Sequence, residues 1–219
     1  MSDLTLLPLT AQTITAGGRR WQIDAVHDDG AIIDLSETHE VFPYGLKVWE
    51  SAVVMADYLG AEGAALNSVS VLELGAGIGL PGMAAAKAGA LVTATDHNRI
   101  ALDLGARNAA ANDVPQMTWT MADWYAWDLP GRFQLIAGAD VLYDNATYPA
   151  ILKILEVSLA AGGRVVFTDP MREQTLDFIE MLRAAGWQVE VSERATNEIY
   201  PRLSETMIKV RTILARRAD

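Results

Sequence analysis

Val69-Ser-Val-Leu-Glu73-Leu-Gly75-Ala-Gly77-Ile-Gly79-Leu-Pro81-Gly82, continuing through Met83–Ala88 and Leu91–Thr95 to Asp96, is the stretch that decides the fold of this chain. Val69 to Leu74 is an apolar, β-branched run suited to a central parallel strand buried on both faces. Gly75, Gly77 and Gly79 then permit a sharp turn and leave no Cβ between backbone and ligand. Pro81 suits the first turn of a helix, where its fixed φ helps and its missing N–H costs nothing. Met83 to Ala88 continue that helix, Gly89 closes it, and Leu91 to Thr95 form a second strand with Asp96 at its carboxyl end. The spacing from glycines to acid is the roughly 20 residues that bring a carboxylate to ribose hydroxyls. The whole reads as one βαβ unit holding one nucleoside. The competing reading is a glycine-rich turn that packs strand on helix and binds nothing.

The glycines admit two registers. As Gly77-x-Gly79-x-x-Gly82 they satisfy the dinucleotide fingerprint, but the first glycine then stands two residues past the first possible turn, because the strand ends at Leu74. As Glu73-Leu-Gly75-Ala-Gly77-Ile-Gly79 they place an acid two residues before the first glycine. A carboxylate there repels a pyrophosphate at a helix N-terminus, yet can orient the loop around a zwitterionic ligand with an ammonium group. S-adenosylmethionine has that ammonium, a sulfonium and no phosphate, so it is the cofactor this register implies. Glu73, Gly75, Gly77 and Gly79 are candidate contacts in the loop, and Asp96 is the candidate at the ribose.

Composition narrows the class. A chain of 219 residues supports one substantial core, and 51% hydrophobic with 21% charged residues belongs to a globular α/β protein and not a disordered one. The absence of cysteine excludes disulfides, zinc–thiolate sites and thiol nucleophiles. His27, His39 and His97 do not fall at metal-ligand spacing, and no metal is expected. A formal net charge of −11 argues against a nucleic-acid partner and fits a basic substrate, although acidity serving solubility alone accounts for it equally well. No apolar run reaches membrane-spanning length, and the N-terminal residues lack a basic region before an apolar one, so a cytoplasmic protein is expected.

Upstream of the cofactor unit, Thr13–Ala16, a Gly17-Gly18 turn and Arg20–Val26, with Trp21, Ile23 and Ala25 alternating, predict a β-hairpin. Residues 1–41 are read as this N-terminal extension and 42–219 as the domain that carries the cofactor unit. The hairpin either covers a sheet edge or contacts substrate. From Phe42, the residues Leu46, Trp49, Val53, Ala56 and Leu59 recur at helical spacing. Trp49 is either a core aromatic or an indole flanking the ligand.

Downstream, Arg99–Asn112 is alanine-rich and helical, and Met117–Met121 is a third strand ending at Ala122-Asp123-Trp124. An acid and an indole there suit an adenine, because the carboxylate accepts from its amino group while the ring stacks; Trp127 is read as packing. Phe133–Ala139 is a fourth strand, followed by Asp140-Val-Leu-Tyr143-Asp144. Ligands of open parallel sheets bind outside the carboxyl ends of strands where strand order reverses, which puts Asp140 and Tyr143 at the site to engage an amine, unless the pair merely caps a helix. Helix Tyr148–Ala161, Gly162-Gly163, strand Arg164–Asp169, helix Arg172–Ala185, strand Trp187–Glu193 and strand Met207–Leu214 complete the alternation. The last two strands are separated only by the loop Arg194–Glu205, so the sheet is expected to end in an antiparallel strand.

Taken together, Tyr44-Gly45-x-x-x-Trp49, Glu73-x-Gly75-x-Gly77-x-Gly79, Asp96, Trp124 and Ala139-Asp140-Val141-Leu142-Tyr143 resemble the class I, seven-β-strand S-adenosylmethionine-dependent methyltransferases. Within these the set is similar to the protein-lysine methyltransferases with an Asp-x-x-Tyr motif, which act on chaperones, elongation factors and the β subunit of electron transfer flavoprotein. Thr168-Asp169-Pro170 with Arg172 is also similar to the flavoprotein-directed branch, while Glu50 stands where several relatives have proline. The resemblance covers roughly Phe42 to Leu214. It implies a doubly wound, mostly parallel seven-stranded α/β sheet with a reversed last strand. It also implies cofactor contacts at Trp49, Gly75, Ala76, Gly77, Asp96, Trp124, Ala139 and Tyr143, with Asp140 near the target amine. Asp123 joins the cofactor set from its place beside Trp124, and Asp140 and Tyr143 are the candidate catalytic pair.

The function so implied is methyl transfer from S-adenosylmethionine to a lysine ε-amine presented by a protein partner, with neither nucleic acid nor membrane involved. Methyl transfer to a small molecule, a nicotinamide-dependent oxidoreductase using the other glycine register, and a non-catalytic module that keeps the pocket are the rivals. Against the oxidoreductase, no Tyr-x-x-x-Lys helix and no substrate domain is evident.

Overall fold

The computed structural model describes residues 4–28, 30–31, 44–196 and 207–217. In chain order the regular elements are β1 (Leu9–Ala16), β2 (Arg19–Val26), α1 (Glu50–Glu62), β3 (Ser70–Leu74), α2 (Leu80–Lys87), β4 (Leu91–Asp96), α3 (Arg99–Ala111), β5 (Thr118–Met121), β6 (Phe133–Ala139), α4 (Tyr148–Ser158), β7 (Leu159–Asp169), α5 (Thr175–Ala184), β8 (Trp187–Thr196) and β9 (Ile208–Arg217). Seven strands form one sheet in the order β5-β4-β3-β6-β7-β9-β8. The pairs among β3, β4, β5, β6 and β7 are parallel, and β9 runs antiparallel between β7 and β8. The fold class expected from the sequence is therefore present, reversed last strand and N-terminal hairpin included.

Strand order reverses between β3 and β6, so the loops that leave those two strands diverge to opposite sides and open a crevice at the carboxyl edge. β3 is buried at Val71 through Leu74, as its apolar run requires. The core divides around the sheet. One cluster joins the hairpin, α1, α2 and α3 to Val71, Val92 and Ala137, and the other joins α4 and α5 to Leu72, Ile136, Phe167 and Ile213.

Several boundaries differ from the periodicity. α1 starts at Glu50, because Tyr44–Leu46 form a separate 3-10 turn and Trp49 is extended. α4 stops at Ser158 instead of Ala161. Leu159 already pairs with Phe133, and Leu135 next meets Arg164, so Gly162-Gly163 sits in a bulge within β7 and not in a turn before it. α5 starts at Thr175, three residues beyond Arg172, whose backbone N–H is already given to Asp169. β8 runs on to Thr196 and β9 to Arg217, past the expected limits Glu193 and Leu214. The boundary between residues 41 and 42, Phe42 itself, His39 and most of the loop before Glu205 lie outside the described residues. No helix among the described residues is long and apolar enough to cross a membrane.

The hairpin does not cover a sheet edge. It lies on α1 and α3 and shares their core through Trp21, Ile23 and Ala25. The open edge of β2 is satisfied by two asparagines one turn apart on α3: Asn108 exchanges hydrogen bonds with the backbone of Asp24 at 3.0 and 2.9 Å, and Asn112 does so with Gln22 at 2.9 and 2.7 Å. Two side-chain amides thus stand in for a neighbouring strand. At the turn, Gly17 N–H donates to Asp57 Oδ1 at 2.7 Å, and a Cβ at Gly60 would fall 2.4 Å from Gly17 Cα. Gly60→Ala is therefore expected to lift the hairpin from α1 and cost about 1–3 kcal/mol. Urea unfolding midpoints measure it, and a cost within experimental error would show that the hairpin does not rest on this contact.

Candidate active site

The glycine loop is shaped by its neighbours. Gly77 has φ +53°, and a Cβ on it would lie 2.8 Å from the Gly45 carbonyl oxygen, so the Tyr44–Leu46 turn can seat against the loop only because both residues are glycine. Gly77 N–H donates to Asp96 Oδ2 at 2.8 Å, and Asn98 N–H donates to Oδ1 at 2.8 Å. The buried acid at the end of β4 therefore holds the loop after β3 and the start of α3 together, while each oxygen keeps capacity to accept a hydroxyl. Asn98 caps α3 by accepting from Ile100 and Ala101 N–H. Its place just before an alanine-rich helix is the sequence signal for that role.

Glu73 lies behind the loop, 2% exposed, with its carboxyl facing the Gly82 N–H in the first turn of α2. Burial pushes its pKa up to about 8; nearby Asp96 adds to this and the Gly82 N–H opposes it. At neutral pH the group is thus a neutral acid, not the charged one the sequence suggested, and it orients the loop from inside. It also faces an N–H that a pyrophosphate would need, which weighs against the dinucleotide register. Gly82 leaves room for it, since a Cβ there would sit 2.3 Å from Glu73 Oε2.

At the carboxyl edge these groups line a cleft of about 860 Å³, and every site residue expected from the sequence lines it. Trp49 is half-buried on the wall, its Nε1 donating to the Tyr44 carbonyl at 3.0 Å, with Lys47 Nζ 5.1 Å from its ring centroid. The Tyr44 ring lies 6.2 Å from Trp49 and 5.8 Å from Tyr143, making a continuous aromatic wall that the sequence reading had only in part. Trp124 packs near Gly75, and Asp123, exposed, accepts the Tyr125 N–H on one carboxylate oxygen at 2.9 Å. Trp127 points away, donating to Ser158 Oγ at 3.0 Å within the second core, as its packing role required.

Ala139 leads to Asp140, whose backbone turns left-handed with φ +60°. Asp140 N–H reaches the Thr168 carbonyl at 2.9 Å, and its Oδ1 lies 2.5 Å from an Arg172 terminal nitrogen. Oδ2 is buried, and the Ser51 hydroxyl faces the carboxyl and favours its charged form. Burial raises the Asp140 pKa while Arg172 opposes the rise. The Tyr143 phenol is raised by burial and by Asp96, so it stays protonated at neutral pH. Arg172 was noted in the sequence only for its likeness to relatives; a basic residue three positions after an acid at a strand's end was the available signal.

The raised acid at Glu73 has a consequence for stability. Folded protein keeps the proton between the ordinary value of 4.5 and about 8 while unfolded chain has lost it, so this group's contribution is full below the lower value and falls as pH rises through that window. Glu73→Gln is expected to remove that decline and to be more stable than the parent at pH 8.5, as read by thermal melts from pH 5 to 9. Parallel pH profiles for the two proteins would show Glu73 to be ionised in the fold.

A family model described as lysine methyltransferase matches residues 27–185. The histone-arginine methyltransferase METTL23 of Rattus norvegicus is 32% identical over 154 residues, covering 67% of this chain and 64% of its own length. Protein N-lysine methyltransferase METTL21A of Mus musculus is 35% identical over 146 residues, 62% of this chain and 65% of its own. EEF1A lysine methyltransferase 3 of Mus musculus is 30% identical over 155 residues, 68% and 66%. The matched stretch thus spans a little under two thirds of each of these relatives. Among solved structures, the ribosomal protein L11 methylase of Lactobacillus delbrueckii subsp. bulgaricus superposes with a TM-score of 0.61 at 23% identity, covering 80% of this chain and 83% of that one. Magnesium protoporphyrin IX methyltransferase of Synechocystis PCC 6803, with bound SAM, gives 0.61 at 20% identity, covering 77% and 79%. At those identities the structures speak to the fold, and it is the family match over most of the chain, together with the loop, cleft and acid described above, that shows the chain to belong to the lysine methyltransferase family.

Proposed function

We propose that this chain transfers a methyl group from S-adenosylmethionine to the ε-amine of a lysine in a protein, in the cytoplasm and without nucleic acid. The observation that carries the reading is Asp140: a buried carboxyl lining the cleft at a strand's carboxyl end, with one oxygen held by Arg172. The residues suit the cofactor. Asp96 has capacity left for ribose hydroxyls, Asp123 and Trp124 offer an acceptor and a ring to an adenine, and Glu73 faces an N–H that a phosphate would want. Trp49, Gly75, Ala76, Gly77, Gly79, Ala139 and Tyr143 complete the wall.

Bound in this cleft, the cofactor supplies an electrophilic methyl group on sulfur. The chain's task is to hold a neutral amine in line with it. A free lysine has a pKa of about 10.4, so roughly 3 units separate it from neutrality at pH 7. Removal from water in the aromatic wall lowers that value. The Asp140 carboxyl at the cleft then accepts one amine N–H and fixes the direction of the nitrogen lone pair, while the protonated Tyr143 phenol borders the same space.

A second reading, an arginine acceptor, draws on the relative named a histone-arginine methyltransferase. The site favours the amine: with Oδ1 already bound to Arg172, Asp140 has no pair of free oxygens to offer the fork of a guanidinium.

Isothermal titration with S-adenosylmethionine, S-adenosylhomocysteine and NAD(H), followed by transfer of radiolabelled methyl into cell extract, tests the proposal. The first two ligands are expected to bind and a protein band to be labelled; binding of NAD(H) alone would revive the oxidoreductase. Amino-acid analysis of the labelled band separates methyl-lysine from methyl-arginine, and label only in small molecules would overturn the protein acceptor. Asp140→Ala is expected to abolish labelling with cofactor affinity kept, and loss of both together would sink its separate role. Asp96→Ala is expected to weaken cofactor binding by about 1.5–3 kcal/mol, roughly ten- to a hundredfold.

A further inference from the structure

Behind Asp140 lies a closed set of charges. Asp169, at the end of β7 and 0% exposed, accepts the Arg172 backbone N–H on Oδ2 at 2.8 Å and the Arg172 side chain on Oδ1 at 3.1 Å. Arg211, 8% exposed on β9, gives its NH1 to Asp169 Oδ2 at 3.3 Å and to the Arg172 carbonyl at 3.1 Å. Arg172 then reaches forward to Asp140, 7% exposed. Two acids are balanced by two arginines, and Arg172 is the link that touches both acids. It does not line the cleft itself.

Resting on the proposed lysine methylation, we infer that Arg172 is a positioning residue for the acceptor amine: by bridging Asp169 to Asp140 it fixes Asp140 at the edge of the cleft and holds it as a carboxylate. β7 and β9 are joined by the strand ladder and by the Asp169–Arg211 pair, neither of which involves Asp140. The arm from Arg172 to Asp140 is additional to these and leads to a residue of the cleft. The groups facing Asp140 are Arg172 and Asp169 from the end of β7, Ser51 from α1, and Tyr143 on its own loop. Of these only Arg172 is a cation. Without it, Asp140 shares a desolvated space with the Asp169 carboxylate, and burial together with like charge makes it take up a proton. A protonated Asp140 offers a donor where the amine N–H needs an acceptor.

The test compares the parent, Arg172→Gln and Arg172→Lys by initial rate of radiolabelled methyl transfer into cell extract at saturating S-adenosylmethionine, from pH 6.5 to 9.5, with cofactor affinity by titration. The parent rate rises with pH as the acceptor amine deprotonates, so the readout is the ratio of variant to parent. For Arg172→Gln the ratio is expected to be down at least about tenfold at pH 7 and to recover severalfold by pH 9.5 as Asp140 regains its charge, with cofactor affinity unchanged. Arg172→Lys, which keeps a cation, is expected to show a smaller loss and a ratio flat with pH. A pH-independent loss in Arg172→Gln, or no loss, would overturn the inference. If Arg172→Gln fails to bind cofactor because it has not folded, Arg172→Lys decides: a flat ratio supports the inference and a climbing one overturns it. Absence of any labelling by the parent would instead count against the methyltransferase reading itself.

Discussion

The grip of the Asp96 carboxylate on two backbone N–H groups organises the cofactor end of this molecule. Gly77 and Asn98 belong to loops leaving different strands, and the 2.8 Å bonds to the two oxygens of one side chain fix both at once. From that constraint the rest of the cleft wall follows. Gly77, held in place with φ +53°, gives the Tyr44–Leu46 turn a surface to close upon, and that turn carries Tyr44 to the ring of Trp49. A charge-assisted bond of this kind, largely out of water, is worth more than an exposed one and costs more to leave unmade.

Much of this was legible in the sequence, because it depends on local pattern. The apolar run before Gly75, the proline after it and the acid about 20 residues on are properties of a short stretch, and β3, α2 and β4 formed within a residue or two of their expected limits, with Pro81 in the first turn of α2. The residues expected at the site came together because parallel strands deliver their carboxyl ends to one edge whatever their order in the chain.

What escaped the sequence depends on tertiary context. Glu73 reads as a charge on paper, and only the burial of its carboxyl under α2 makes it a neutral acid. The early end of α4 follows from pairing of Leu159 with Phe133, a contact with a strand 26 residues upstream that no helical periodicity encodes. The partner of Asp169 is Arg211, brought alongside by the antiparallel register of β7 with β9, in which those two residues face each other. The hairpin's place on α3 rests likewise on Asn108 and Asn112, whose spacing looks unremarkable until β2 lies beside them.

The paired charges also bear on a conflict built into methylating an amine. A carboxylate that orients an amine N–H also stabilises the ammonium form, and so raises the pKa that the reaction needs lowered. An isolated Asp140 would help geometry and hinder deprotonation together. With Arg172 at 2.5 Å, the field at a nitrogen near the Asp140 carboxyl is that of an ion pair, which falls off faster with distance than that of a single charge, while the carboxyl keeps its capacity as an acceptor. Direction is thereby separated from charge: the oxygen still selects where the N–H points, and the adjacent guanidinium offsets much of the attraction that would keep the third proton on the nitrogen. The reversed strand enters here, since β9 supplies the second arginine that leaves Arg172 shared between two acids without excess negative charge. In the proposed reaction, the topology of the sheet's far half, remote from the glycine loop, thus contributes to the charge balance around Asp140.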